Sequence, residues 1–212
     1  MNGISTRLPA ATGAFYVMAL VVGDTVWAAG SANGAPAGRV LVVLGFTAFV
    51  VFAAFLHRAL QEADGPSGWL RTLALDAGLL YSAVVFAAQP PRMIEAYRED
   101  ALSPELVRTL EDLNGGGFVI SGLLLGLFCA TASGIGLRHG LFPRWLGWSG
   151  AVAGWLALVA GVVGMVAPGL YLPVPFLACL AWTASVSILL TVRPIRRADV
   201  AARPAVTTAP VA

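Results

Sequence analysis

Charge is scarce in this chain. Charged residues are 11% of its 212 residues, against about a quarter in an ordinary soluble domain. Lysine is absent, so all 13 basic residues are arginine; this reads as a codon bias, and the net charge of +2 points to no class of partner. Histidine and cysteine number two each. Cys129 and Cys179 lie in apolar runs with no Cys-x-x-Cys partner or neighbouring histidine, which excludes metal-ligand spacing and thiol redox motifs and leaves them as packing thiols. His57 and His139 stand beside Arg58 and Arg138 at helix ends, an interfacial setting. Phosphate loops, a Gly-x-Ser-x-Gly elbow, a His-Glu-x-x-His helix and nucleic-acid signatures are also missing. No cofactor, metal, nucleic-acid partner or catalytic set is therefore expected, and the chain leans away from enzymes.

Hydrophobic residues fill the space left by charge, at 58% with a mean hydropathy of +0.81, so the expected partner is a lipid bilayer. Crossing roughly 30 Å of hydrocarbon takes about 20 helical residues. Six runs qualify: 9–30, 40–57, 69–89, 117–137, 145–167 and 170–192. Glycine and proline punctuate the breaks at 31–38, 63–68, 114–117, 139–143 and 167–169. Helices are the expected form, because hydrocarbon cannot satisfy exposed backbone groups and the runs lack barrel alternation. The predicted fold is all-α, one polytopic bundle of six transmembrane helices over residues 1–197. A competing reading makes the first run a secretory signal, with Arg7 ahead of it and small residues in "WAAGSANGA" behind; its length and Asp24 argue for a retained span.

Arginine placement sets the expected orientation. Alternating spans put Arg7, Arg58, Arg71, Arg138, Arg144, Arg193, Arg196, Arg197 and Arg203 on one side, and Arg39, Arg92, Arg98 and Arg108 on the other. The richer side is cytoplasmic by the positive-inside rule, which places both termini on the cytoplasmic side of the cell's inner (plasma) membrane. Trp69, Trp145 and Trp148 fall at the inner ends and Trp27 towards an outer end, where amphipathic rings settle. Trp155 and Trp182 sit near mid-membrane, as packing residues.

The longest connection, 89–117, contains a marked helix over 104–113. Ser103 is its N-cap, Pro104 its first residue, Glu105 an acid in the first turn, and Asn114 with its glycines the stop. Leu106, Val107, Leu110 and Leu113 share one face, so this extracytoplasmic amphipathic helix should lie along the membrane or cap the bundle. Residues 198–212 have the composition of a disordered cytoplasmic tail.

Two glycine patterns predict close helix approach. Gly147, Gly150, Gly154, Ala157, Gly161 and Gly164 recur at spacings of three and four in the fifth run, and Gly122, Gly126, Ala130 and Gly134 every four in the fourth. Such stripes let backbones meet where lipid removes the hydrophobic incentive to associate. Spans four and five are expected to pack tightly, although the glycines could instead line a passage or dock a homo-oligomer or membrane partner.

From "FLHRAL" through "LEDLNGGGF" to "LRHGLFPRWLGWSGAVAG" (137–154), residues 40–192 resemble a group of small six-span bacterial membrane proteins of unknown function. The resemblance implies the six-helix architecture and supplies no functional residues.

Candidate chemistry rests on two aspartates. A carboxylate near a helix centre costs roughly 2.5–3.5 kcal/mol on insertion scales, so Asp24 and Asp76 should face the bundle interior or water. Their depths differ by about 12 Å at 1.5 Å per residue, which argues against a shared acid pair. Asp76, Asp24 and Tyr81, five residues beyond Asp76, are the candidates for binding a ligand or proton. Three functions stay open: a ligand- or proton-binding, transport-like bundle; a structural or regulatory protein that docks a partner through its glycine-rich helices; and an intramembrane enzyme acting on a lipid or isoprenoid, for which a second catalytic group is not evident.

Overall fold

A computed structural model describes residues 4–28, 34–64, 68–97, 102–167 and 170–192. They form six α-helices: α1 (Ile4–Ala28), α2 (Gly34–Asp64), α3 (Trp69–Tyr97), α4 (Pro104–His139), α5 (Arg144–Val166) and α6 (Val174–Val192). Each is long and apolar enough to cross a membrane. The predicted tail 198–212 and, of the arginines that set the expected orientation, Arg98, Arg193, Arg196, Arg197 and Arg203 lie outside the described residues.

Helices run further than the sequence suggested: α2 covers Gly34–Asp64 where 40–57 was expected, and α3 and α4 run on through residues expected to lie outside the spans. α3 continues through Pro90 and Pro91 to Tyr97; the prolines remove the ladder donors to the Phe86 and Ala87 carbonyls, yet the turns on either side persist. The amphipathic helix begins as read, with Ser103 accepting from the Leu106 amide at 3.3 Å, but the expected stop at Asn114 is not there. α4 passes through Asn114–Gly117 as one 36-residue helix. Glycine within a helix costs about 1 kcal/mol relative to alanine, whereas a break at the membrane edge would leave up to four unpaired backbone groups on each new end. Continuity is the cheaper solution, and α4, about 54 Å long at 1.5 Å per residue, overshoots the hydrocarbon by several turns.

α4 stops at Gly140, which takes the left-handed conformation (φ 62°) and donates its amide to the Gly136 carbonyl. The tight turn carries Phe142 back onto Gly136, where a Cβ would lie 2.2 Å from the ring. Phe142 then meets Trp182 edge-on at 6.2 Å.

Helices neighbouring in sequence pack side by side, α1 closes on α6, and α4 also reaches α2 and α6. Glycines decide the closest approaches. A Cβ on Gly126 would lie 2.8 Å from the Gly154 carbonyl oxygen, and one on Gly154 would lie 2.6 Å from the Ala130 amide nitrogen, so the α4 and α5 backbones touch there. Gly147, Gly161 and Gly164 face Leu137, Leu123 and Tyr171, and Gly150 receives the Trp182 indole and the Ser133 hydroxyl. Gly122 meets the Tyr171 hydroxyl, but Gly134 has nothing within 4 Å. Residues four apart drift about 40° around an α-helix, so three steps carry Gly134 off the contact face. A second seam, between α1 and α2, escaped the sequence reading: Gly23 and Gly38 each face the other's carbonyl, and Gly45 fits against Ala19.

Polar side chains also join helices. The Ser187 hydroxyl on α6 donates to the Ala10 carbonyl at 2.5 Å and accepts from the Ala14 amide at 2.8 Å, the two groups an undisturbed α1 would pair with each other. Trp182 Nε1 donates to the Leu146 carbonyl at 3.0 Å. Trp182 is thus the packing residue expected of it, while Trp155 is 65% exposed and faces outward from α5. Trp69, Trp145 and Trp148 are exposed near the end of the bundle where α1 begins and α6 ends. At mid-bundle, Tyr16, Phe46, Phe49, Tyr81 and Phe128 form one buried aromatic layer, with neighbouring centroids 4.9–6.5 Å apart.

Candidate functional site

A cavity of about 90 Å³ opens at the distal end of the bundle, away from the start of α1 and the end of α6. Helical register builds its walls. α3 contributes Tyr81, Val85, Ala88, Gln89 and Arg92, which recur at spacings of three and four along one face, and α4 contributes Asn114, Gly117, Phe118 and Ser121 in the same way. α1 adds Leu20 and Asp24, α2 adds Val42 and Phe46, and α6 adds Phe176. The uninterrupted α4 matters here: Asn114 and Gly117, expected to end a surface helix, are wall residues. Gly117 lets the wall close, with a Cβ there only 3.3 Å from that of Ala88.

Polar groups gather at the rim. Asp24 stands at the mouth, exposed on its outer side, with Gln89 and Arg92 across from it on α3. Arg92 and, more weakly, Arg39 act electrostatically on its carboxylate. Arg39 lies over the Trp27 ring at 3.7 Å, a cation–π contact that fixes the start of α2 against the end of α1. A side recess of about 10 Å³ between these helices is lined by Gly23, Asp24, Trp27, Gly38, Arg39, Val42, Gln89 and Arg92.

The deep end is apolar and closes on a phenol pair. Tyr81 is fully buried, lines the cavity, and shares a 2.5 Å hydrogen bond with the hydroxyl of Tyr16, also fully buried. From Arg92 to Tyr81 is eleven residues of α3, about 16 Å of depth. The cavity therefore grades from a charged rim through Val85, Phe118 and Phe176 to a hydroxyl floor.

Of the three candidates, Asp24 and Tyr81 line one cavity and Asp76 is elsewhere. Asp76, expected to face the interior or water, is not in the bundle interior; it lies on the exposed side of α3 with Thr72, Leu79, Leu80 and Ala83. The buried face of α3 is Ala74, Ala77, Gly78, Tyr81 and Ser82, and Asp76 sits a residue off that register. Arg92 was missed because the span was ended at residue 89, which left Gln89 as its last residue and hid the Tyr81–Val85–Gln89–Arg92 periodicity. Tyr16 carried no local signal; only the bundle brings it to Tyr81.

Comparison with curated proteins and with solved structures finds no match. A family model does match, over residues 10–192, a range that includes five of the six spans whole, the first from residue 10 on, and every residue lining the cavity. The chain belongs to the family defined by a domain of unknown function, DUF4386, to which that model corresponds.

Proposed function

We propose that this multi-pass membrane protein binds a small ligand in its distal cavity, with the ligand's polar end at the Asp24–Gln89–Arg92 rim and its apolar part against Val85, Phe118 and Phe176. The observation that carries the reading is the convergence of five helices on one recess whose polar groups gather at the mouth, the usual plan of a ligand pocket. The aromatic layer below Tyr81 favours a binding pocket over an open conduit. Asp24 is the single carboxylate among the lining residues, which weakens the lipid-modifying alternative, since acid–base chemistry there needs a second positioned group. The arginine distribution supports cytoplasmic termini, so the mouth opens on the extracytoplasmic side of the inner membrane.

The test fills the cavity. Val85→Trp places an indole in the recess, and a panel of small amphiphilic compounds is screened for thermal stabilisation of the wild type and the variant in detergent. A ligand at a hundred times its dissociation constant adds about 2.7 kcal/mol to the wild type and nothing to the filled variant. Equal responses of the two proteins across the panel would sink the proposal.

A second reading rests on Asp76. A carboxylate exposed about 10 Å along α3 from Trp69 is costly against lipid, and a neighbouring protomer's α3 would shield it. The glycine stripe on α5 does not serve that docking role, because Gly147, Gly150, Gly154, Gly161 and Gly164 are occupied by residues of the same chain.

A further inference from the structure

The phenol pair at the cavity floor holds one more hydrogen than it uses. Tyr16 and Tyr81 bring two hydroxyl hydrogens to a single shared bond, and among the described residues neither makes another hydrogen bond. One hydrogen is left over. Were Tyr81 the donor, the spare hydrogen would sit on Tyr16, which is outside the cavity lining and enclosed by the Phe46 and Phe49 rings, a buried donor with no oxygen to meet. With Tyr16 as donor, the spare hydrogen sits on Tyr81, which lines the cavity and lies within electrostatic reach of the Asp24 carboxylate at its mouth. The second arrangement is preferred, because an acceptor entering the cavity can complete it.

We infer that the floor of the distal cavity is a hydrogen-bond donor, the Tyr81 hydroxyl, and that the ligand is a compact, largely apolar molecule carrying an oxygen acceptor of carbonyl type at its buried end. The inference rests on the ligand-pocket reading and adds to it the polarity of the deep end. The other buried hydroxyl of the lining, Ser121, donates to the Phe118 carbonyl of its own helix at 2.8 Å, so the hydrogen to spare is that of Tyr81, and Leu20, Val42, Phe46, Val85 and Phe176 around it are apolar. The volume fits a small group, since about 90 Å³ is less than the 150 Å³ or so of an apolar cavity known to admit benzene, so the buried part is a few heavy atoms and the rest projects to the rim. Tyr16 is a positioning residue here. By donating to Tyr81, it turns the Tyr81 hydrogen towards the cavity.

The experiment uses two probes of matched shape, cyclopentanone and methylenecyclopentane, with the full-length protein in detergent. Binding is followed by ligand-observed magnetic resonance and the ketone stretch by infrared difference spectroscopy. The wild type should prefer the ketone by about twofold to tenfold, the worth of one ordinary hydrogen bond, and its carbonyl stretch should move to lower frequency on binding. Tyr81→Phe should erase both the preference and the shift, while Tyr16→Phe, which leaves the Tyr81 hydroxyl in place without the donor that orients it, should weaken the preference and keep the shift. Preference is a ratio within each variant, so a general loss of stability cancels. Equal binding of both probes, blocked by Val85→Trp, would overturn the donor floor and leave the pocket standing. A ketone preference that survives Tyr81→Phe, or disappears with Tyr16→Phe alone, would also overturn it. Absence of saturable binding of either probe to the wild type would remove the pocket and the inference together.

Discussion

Gly154→Ala tests how closely α4 and α5 approach. The added methyl would lie 2.6 Å from the Ala130 amide nitrogen, 2.6 Å from the Gly126 carbonyl oxygen and 2.9 Å from the Ala130 Cβ. Two of the three are backbone atoms that cannot rotate away. Reaching the 3.4 Å of ordinary contact requires the helices to separate locally by 0.8 Å. A gap of that size forfeits a quarter to a half of each contact's well, so about 50 heavy-atom contacts of 0.1–0.2 kcal/mol along the seam lose roughly 2–3 kcal/mol in total. Gly134→Ala is the matched control, because the same methyl meets nothing within 4 Å and the helix gains up to about 1 kcal/mol in propensity. Thermal unfolding in detergent, followed by circular dichroism, should lower the midpoint of Gly154→Ala by about 5–10 °C for a chain of this size and leave Gly134→Ala unchanged or higher. If the two variants melt together, the backbone contact is not as described.

Gly115 and Gly116 have open space around them inside α4. Gly115→Ala and Gly116→Ala should each raise stability by up to about 1 kcal/mol, measured as a higher unfolding midpoint, and a fall in both would mean that the helix breaks there after all. For Asp76, exposed on α3, Asp76→Leu should not lower the stability of the single protomer, yet should weaken self-association measured by energy transfer between labelled copies in vesicles, with Asp76→Asn intermediate or unchanged. Loss of the folded protomer on Asp76→Leu, or unaltered association, would refute the shielding role.

The positions of the six spans were legible because hydrocarbon leaves a chain few options. A run of about 20 apolar residues must pair its own backbone, and five of the six helices keep their predicted cores with ends moved by a few turns at most. The fourth differs because the sequence signals for stopping, asparagine and three glycines, act through local propensities of about 1 kcal/mol or less each, and a continuous helix at the membrane edge outweighs them. The glycine pattern on α5 was readable for the same kind of reason: spacings of three and four define a face whatever the face touches. The every-four pattern on α4 drifts, so its last member, Gly134, lies away from the seam.

The site was legible only in pieces. Asp24 and Tyr81 stood out as polar groups in apolar runs, and both line the cavity; Asp76 stood out for the same reason and faces away. Hydropathy measures the cost of a carboxylate in a span and is blind to its azimuth, and a residue one step off register is turned by about 100°, enough to leave the buried face. By itself the sequence determined that this is a six-helix membrane protein, with its arginines massed towards one set of helix ends, because those properties follow from transfer free energies that each segment carries alone. Which carboxylate meets the cavity, the pairing of Tyr16 with Tyr81 and the recruitment of Arg92 to the rim were decided by the tertiary structure, because each depends on how helices distant in sequence are rotated against one another, and that rotation is set by close packing over the whole bundle.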